Sequence, residues 1–272
     1  MSAFDDLLRE MIDYVAENGF DQSPRMSQMM ASLRRAAEQS FITDSELQAK
    51  MRASLESYFK RSISKSRLKK NNKGVSTLNI TRIMPTLRSE LDRRIMANAD
   101  MIKLNREQAI DKTLQRFSGW MTSIPPGGSR AINKAEVRED ISKTARQLKY
   151  EVRRREIDQG HKLMSAVDAV IAEQGGAIAM QWSSHWRQPG YDYRVDHKER
   201  DGKIYAIRGS WAHERGLINK GAGYTDEMTA PSEEIFCRCN GIYLYNLRDL
   251  PEDMLTAKGK EELERVRMKH AS

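Results

Sequence analysis

Apolar residues return every three or four positions over most of the chain, the period of an amphipathic helix. Phe4, Leu7, Leu8, Met11, Ile12 and Val15 follow that spacing behind Ser2, a capping residue type, and Asn18-Gly19 supplies the stop. Ser23-Pro24 opens a second helix lined by Met26, Met29, Met30 and Leu33, because proline is tolerated in a first turn. Thr43 with Glu46 forms a capping box for a third, whose stripe is Leu47, Met51, Leu55 and Phe59. From Thr77 to Trp120 the stripe continues through Leu87, Leu91, Ile95, Met101, Leu104, Ile110, Leu114 and Phe117, with Pro85 a start or a kink. Ser123-Ile124-Pro125-Pro126-Gly127-Gly128-Ser129 is the clearest turn, and it predicts that one long helix folds back on another. The second arm begins at Asn133, with Glu136 in the third position, and runs through Val137, Ile141, Ala145, Leu148, Val152, Ile157 and Leu163 to Val170, stopping at Gly175-Gly176. At about 1.5 Å per residue, either arm reaches on the order of 50 Å.

After Gly176 the period shifts towards two, in Ile204-Tyr205-Ala206-Ile207 and Ile242-Tyr243-Leu244-Tyr245, and Trp182, Trp186 and Trp211 appear. The predicted fold is therefore mainly α, with an extended helical hairpin, a helical N-terminal region and a small C-terminal α+β module. The stretches expected are 1–74, helical and ending in a basic linker; 75–176, the hairpin; 177–250, the module; and 251–272, a charged tail helix.

Composition agrees with helices that expose wide faces. The chain has 272 residues, of which 39% are hydrophobic and 31% charged, and its mean hydropathy is −0.71. No apolar run approaches the roughly 18–20 residues that cross a bilayer, and the first residues carry Asp5, Asp6, Glu10 and Asp13 instead of a basic leader. A membrane span and a secretory signal are not expected. The 15 methionines fit adaptable packing within the helices.

The net charge of +8 is unevenly placed. Residues 1–50 sum to −4, 51–100 to +8, 101–150 to +5 and 151–272 to −1. A basic middle attracts a polyanion or an acidic protein surface. Lys60, Arg61, Lys65, Arg67, Lys69, Lys70 and Lys73 form a run free of acids that ends in Asn71-Asn72-Lys73-Gly74. It is either an exposed, solvated connection or a nucleic-acid contact, and with no aromatic inside it the contact would be to phosphates.

The candidate chemistry lies in the C-terminal module. Cys237 and Cys239 are the only cysteines; a bridge across one residue is strained, so two thiols in a reducing compartment are expected. Thiolates and imidazoles are ligands of zinc, and a module with a thin core gains folding free energy from such bonds. His197 and His213 are the best nitrogen donors, with Asp196, Asp201 and His185 as substitutes, and free thiols with hydrogen-bonded histidines are the alternative. Asp196-His197 followed by Asp201-Gly202 is also similar to the histidine hairpin of HNH-type nucleases, without the later Asn and His of that pattern. A metal-dependent nuclease or toxin-like module centred on His197 is the enzymatic alternative. No serine elbow, phosphate-binding glycine loop or helix with paired zinc histidines is present.

Trp182, then Tyr193-Arg194-Val195-Asp196-His197, Arg200-Asp201-Gly202-Lys203, Pro231 and Phe236-Cys237-Arg238-Cys239 come in an order that resembles the phage Mu F-like family of head morphogenesis and minor capsid proteins. Val137 to Thr144 is similar to the helix preceding that motif, and the likeness covers roughly residues 135–245. Phe236 stands where the family usually has Asn, and the cysteine pair often seen near the first His is missing. The resemblance implies a structural virion component and no reaction. It would be made in the cytoplasm of the infected bacterium and placed in the head interior or at the head-tail junction. Portal, capsid or scaffold proteins and the packaged DNA are the implied partners, in a multi-copy assembly. Trp182, Arg194, Gly202, Pro231 and Arg238 would form the module's framework.

Overall fold

The computed structural model describes residues 3–20, 24–40, 43–73, 75–185, 189–190 and 194–271. Ser2, Ser23, Gly74, Trp186 and Tyr193 lie outside the described residues, as do the side chains of Leu47, Ala145 and Leu148. The protein is mainly helical, with a small three-stranded antiparallel sheet near its C-terminus. In chain order the elements are α1 (Ala3–Asn18), α2 (Pro24–Ser40), α3 (Asp44–Ser62), α4 (Lys65–Asn71), α5 (Thr77–Met121), α6 (Lys134–Gly175), β1 (Ala179–Ser183), α7 (Val195–Glu199), β2 (Ile204–Ala206), α8 (Trp211–Glu214), β3 (Asn240–Leu244) and α9 (Ala257–Ala271). Among the described residues no helix is long and apolar enough to cross a membrane.

These elements form two compact units, each made of two stretches of chain. Met1–Arg52 with Ile95–Arg155 make the first, and Ala53–Arg94 with Glu156–Ser272 the second. The units thus cut across the boundaries expected at 74 and 176, because α3, α5 and α6 each contribute residues to both.

In the first unit the apolar stripe of α1 is the core. Phe4, Leu8, Met11, Ile12 and Val15 pack with Leu33 of α2, with Ile110, Leu114 and Phe117 of α5, and with Ile141 of α6. The connection between α5 and α6 closes on the end of α1: Gly127 N–H donates to the Asn18 carbonyl (3.0 Å) and Ser129 N–H to that of Ala16 (2.8 Å). Gly128, at φ +80°, cannot carry a side chain, since a Cβ there would meet the Ala16 carbonyl oxygen. The expected caps form, with Glu46 accepting from Thr43 N–H at 3.0 Å and Asn133 accepting from Glu136 N–H at 3.3 Å. Helix α5 continues through Pro85, losing one backbone hydrogen bond there.

In the second unit the basic run is helical where a connecting linker was expected. Residues 60–71 are the end of α3 and the whole of α4, capped by Ser64. Leu68, Asn71 and Asn72 are buried, and Tyr245 O–H donates to the Asn72 side-chain carbonyl (2.5 Å). Lys60, Arg61, Lys65, Lys69, Lys70 and Lys73 are exposed, with the Arg61 guanidinium 4.4 Å from the centre of the Tyr58 ring. Arg67 points the other way. Its guanidinium donates to Asp168 of α6 at 2.6 Å and to the Asn240 side chain at 3.2 Å, so it is unavailable to phosphate. A basic run on a helix has an inner face, and Arg67 lies on it.

The sheet order is β2-β1-β3. Strands were expected at 204–207 and 242–245 and are found there; β1 was not foreseen, as its sequence Ala-Met-Gln-Trp-Ser lacks β-branched residues. Alternation gives the sheet two faces. Ala179 pairs with Ala206 and Leu244, and these pack with Ile178, Ala212 and Leu217; Met180 pairs with Tyr205 and Tyr243, and these pack with Trp182, Cys237 and Cys239. Leu263 of α9 packs on the first face, and Val266 and Met268 are exposed.

Gly160 of α6 lies against the Tyr58 ring, which a Cβ would overlap. Tyr58 is held by His161 and Arg61, so the ring cannot step aside freely. Gly160→Ala is expected to lower unfolding free energy by about 1–3 kcal/mol from overpacking, against the gain of about 1 kcal/mol usual in an open helix. Urea denaturation of the two proteins checks this.

Candidate metal centre

Among the described residues two groups of side chains could hold a metal ion, and both include His197. The first is His197 with Cys237 and Cys239, all buried. Helix α7 presents the imidazole so that Nδ1 lies 3.5 Å from Cys237 Sγ and 3.6 Å from Cys239 Sγ. The ring packs edge-on against Trp182 of β1, with centroids 5.2 Å apart. The second group is Asp196, His197 and Glu234, on the Nε2 side, where Glu234 Oε1 is 3.6 Å and Asp196 Oδ2 3.8 Å away.

The cysteines are aimed by the segment before β3. Ser165 of α6 donates to the Pro231 carbonyl (2.5 Å), Ser232 Oγ donates to the Cys239 carbonyl (2.8 Å), and Phe236 N–H donates to buried Asp158 of α6 (2.6 Å). Ser232 and Phe236 adopt left-handed φ of 66° and 61°, a conformation costing an L residue about 1–2 kcal/mol. With the backbone so bent, the two sulfurs alternate past Arg238 and face the same imidazole.

The two thiols are unequal. A hydrogen bond from Cys237 lowers the Cys239 thiol below the ordinary range against its burial, helped by the His185 backbone N–H. The same bond, with burial, raises that of Cys237. One sulfur of the pair is thus disposed to be a thiolate, the form that binds metals.

The remaining framework residues surround this cluster. Arg194 caps α7 and pairs with Glu234 Oε2 at 2.7 Å. Gly202, at φ +78°, turns the chain so that its N–H donates to the Trp182 carbonyl (2.8 Å). Arg238 is half-buried, its carbonyl accepting from the Asn240 side chain (3.3 Å). His213 does not join them. Its Nδ1 accepts from Gly209 N–H (3.4 Å) and its ring stands edge-on to Tyr224 at 5.6 Å. The reason is the sheet: α8 packs through Ala212 on the face opposite Trp182 and the cysteines. Glu234 and Asp158 are functional neighbours that sequence did not single out, since neither stands in a periodic or motif position.

No protein-family model, curated protein or solved structure matches this chain.

Half-buried His161 and buried Asp168, both on α6, oppose one another in acid. Burial first, then the charges of Arg238 and Arg67, push the His161 imidazole down to about 4. Burial raises the Asp168 carboxyl to about 6, against the pull of Arg67 and the Asn71 amide. With unfolded values of about 6.5 and 3.9, His161 contributes stability above pH 6.5 that is lost as pH falls to about 4. The Asp168 contribution is full below pH 4 and lost as pH rises through about 6. His161→Gln removes the first effect alone. The variant is expected to gain stability relative to the parent as pH falls from 6.5 to 4; equal slopes in urea denaturation would refute the assignment.

Proposed function

We propose that this chain is a structural component of a phage head, a minor head protein of the Mu F-like kind, whose C-terminal module is closed by a zinc ion on His197, Cys237 and Cys239. The burial of that cluster carries the zinc reading, and the ordered residues from Arg194 to Cys239 support the phage-head one. The three side chains are sealed beneath Trp182, where their relative exposure is 2%, 0% and 1%. These side chains fill three of zinc's four tetrahedral positions, and their burial keeps a substrate from the fourth, which supports a role in folding. The spacing supports zinc. Bonds of about 2.3 Å to sulfur and 2.0–2.1 Å to nitrogen at a tetrahedral angle separate the two atoms by about 3.6 Å, and the observed separations are 3.5 and 3.6 Å.

The order of Arg194, His197, Gly202, Pro231 and the Cys237-Arg238-Cys239 close supports membership of that family. Arg194 pairs with Glu234, Gly202 turns the chain to meet the Trp182 carbonyl, and the Pro231 carbonyl accepts from Ser165. Lys60, Arg61, Lys65, Lys69, Lys70 and Lys73 offer charge to packaged DNA or to an acidic face of portal, capsid or scaffold. Arg67 leaves that set because it belongs to Asp168.

Purified protein is expected to carry about one zinc per chain, and Cys237→Ser with Cys239→Ser to lose it and melt at lower temperature. Metal analysis and thiol titration before and after chelation check this; freely reacting thiols without zinc refute the zinc. Retention of DNA is expected to weaken steeply with salt and after Lys69→Glu with Lys70→Glu. Mass spectrometry of purified heads should find the chain. Its absence from them, or plasmid cleavage with magnesium abolished by His197→Ala, overturns the structural role in favour of a nuclease.

A further inference from the structure

His197 has a candidate partner on each side of its ring, and it cannot ligate through both. A neutral imidazole has one ring nitrogen with a free lone pair and one N–H. Either Nδ1 binds a thiophilic ion between the two sulfurs, or Nε2 binds a hard cation between Glu234 and Asp196.

The surroundings decide between these. The carboxylates already face cations: Arg194 pairs with Glu234 Oε2 at 2.7 Å, and Arg200 with Asp196 Oδ2 at 3.0 Å. Two guanidiniums so close disfavour a divalent ion on that side. Asp196 is also exposed, whereas both sulfurs are buried. Nε2 itself is buried without a hydrogen-bond partner inside normal range, and its nearest acceptor is Glu234 Oε1 at 3.6 Å. A buried N–H requires an acceptor, and an imidazole that ligates a metal commonly gives its other N–H to a carboxylate.

We propose that Nδ1 of His197 is the metal-binding atom and that Glu234 is its positioning residue, accepting the Nε2 proton while Arg194 and the Thr229 hydroxyl, 3.3 Å from Oε1, hold the carboxylate in place. The site then takes borderline or soft divalent ions such as zinc, cobalt or cadmium, and not magnesium or manganese. Binding displaces the protons of the thiols and leaves the proton on Nε2. The proposal rests on the zinc reading and adds the ligating atom, the class of metal and the residue that orients it.

The full chain, its Glu234→Ala and Glu234→Gln variants, and Arg194→Gln are stripped of metal and titrated with zinc against a chromophoric chelator, and separately with cobalt. Expected are a roughly 10–100-fold loss of zinc affinity in Glu234→Ala, a smaller loss in Glu234→Gln, whose amide oxygen still accepts, and an altered cobalt d–d spectrum in Glu234→Ala. Arg194→Gln should weaken binding less than Glu234→Ala, and it provides the test if the latter does not fold. Long-range proton–nitrogen spectra of the zinc-loaded wild-type protein should place the His197 proton on Nε2. A proton on Nδ1, wild-type zinc affinity in all three variants, or manganese binding lost with Glu234 would overturn the proposal while leaving zinc itself in place. A wild-type chain that takes up no zinc sinks both readings.

Discussion

Charge placed in an apolar interior must be answered there, and in the second unit this requirement fixes the chain around α6. Asp168 is 2% exposed and meets Arg67 and Asn71 of α4; Asp158, at 6%, accepts from Phe236 N–H and pairs with Lys162. Leaving either carboxylate alone would cost several kcal/mol, on the order of the whole stability margin of a domain. Segments far apart in sequence are thereby held to one helix: α4 at Asp168, and the loop before the cysteines at Asp158. Arg67 extends the first contact to Asn240 at the start of β3. The geometry of the cysteine segment thus depends on ionic and hydrogen-bonded anchors as much as on apolar packing.

That dependence explains which parts of the structure could be read in advance. The helices were legible because period and caps are local properties, and Thr43-Glu46, Asn133-Glu136 and Asn18-Gly19 act where their spacing places them. The inner face of α4 was not. Arg67 is chemically the same as its neighbours in a basic run, and only the distant Asp168 distinguishes it. Asn71-Asn72, a turn by composition, is a buried polar step for the same reason, its partners being Asp168 and Tyr245. His213 and His197 were equivalent as ligand types, yet a sheet of three strands separates them, and the side of a sheet on which a later helix returns is a property of topology.

The bend at Phe236 is a strained step in the cysteine segment that the chain offsets locally. Asn tolerates left-handed φ better than other residues with a Cβ, and Phe has no such tolerance. Here Phe takes φ +61°, and the charge-assisted bond from its N–H to Asp158 offsets part of the strain.

A small sheet buries little apolar area, and its Trp182 face is completed by a histidine and two thiols. Hydrogen bonds from sulfur are weak, so an imidazole between two thiols adds little cohesion by itself. A metal bond in the same place would join α7 to the strand-proximal cysteines, and structural zinc in small modules has apparent binding free energies of about 10–16 kcal/mol. Glu234 would connect that bond to Arg194 at the start of α7. Cohesion would then concentrate at one atom on His197, with α6, α7 and β3 converging on it through Asp158, Arg194 and Asn240.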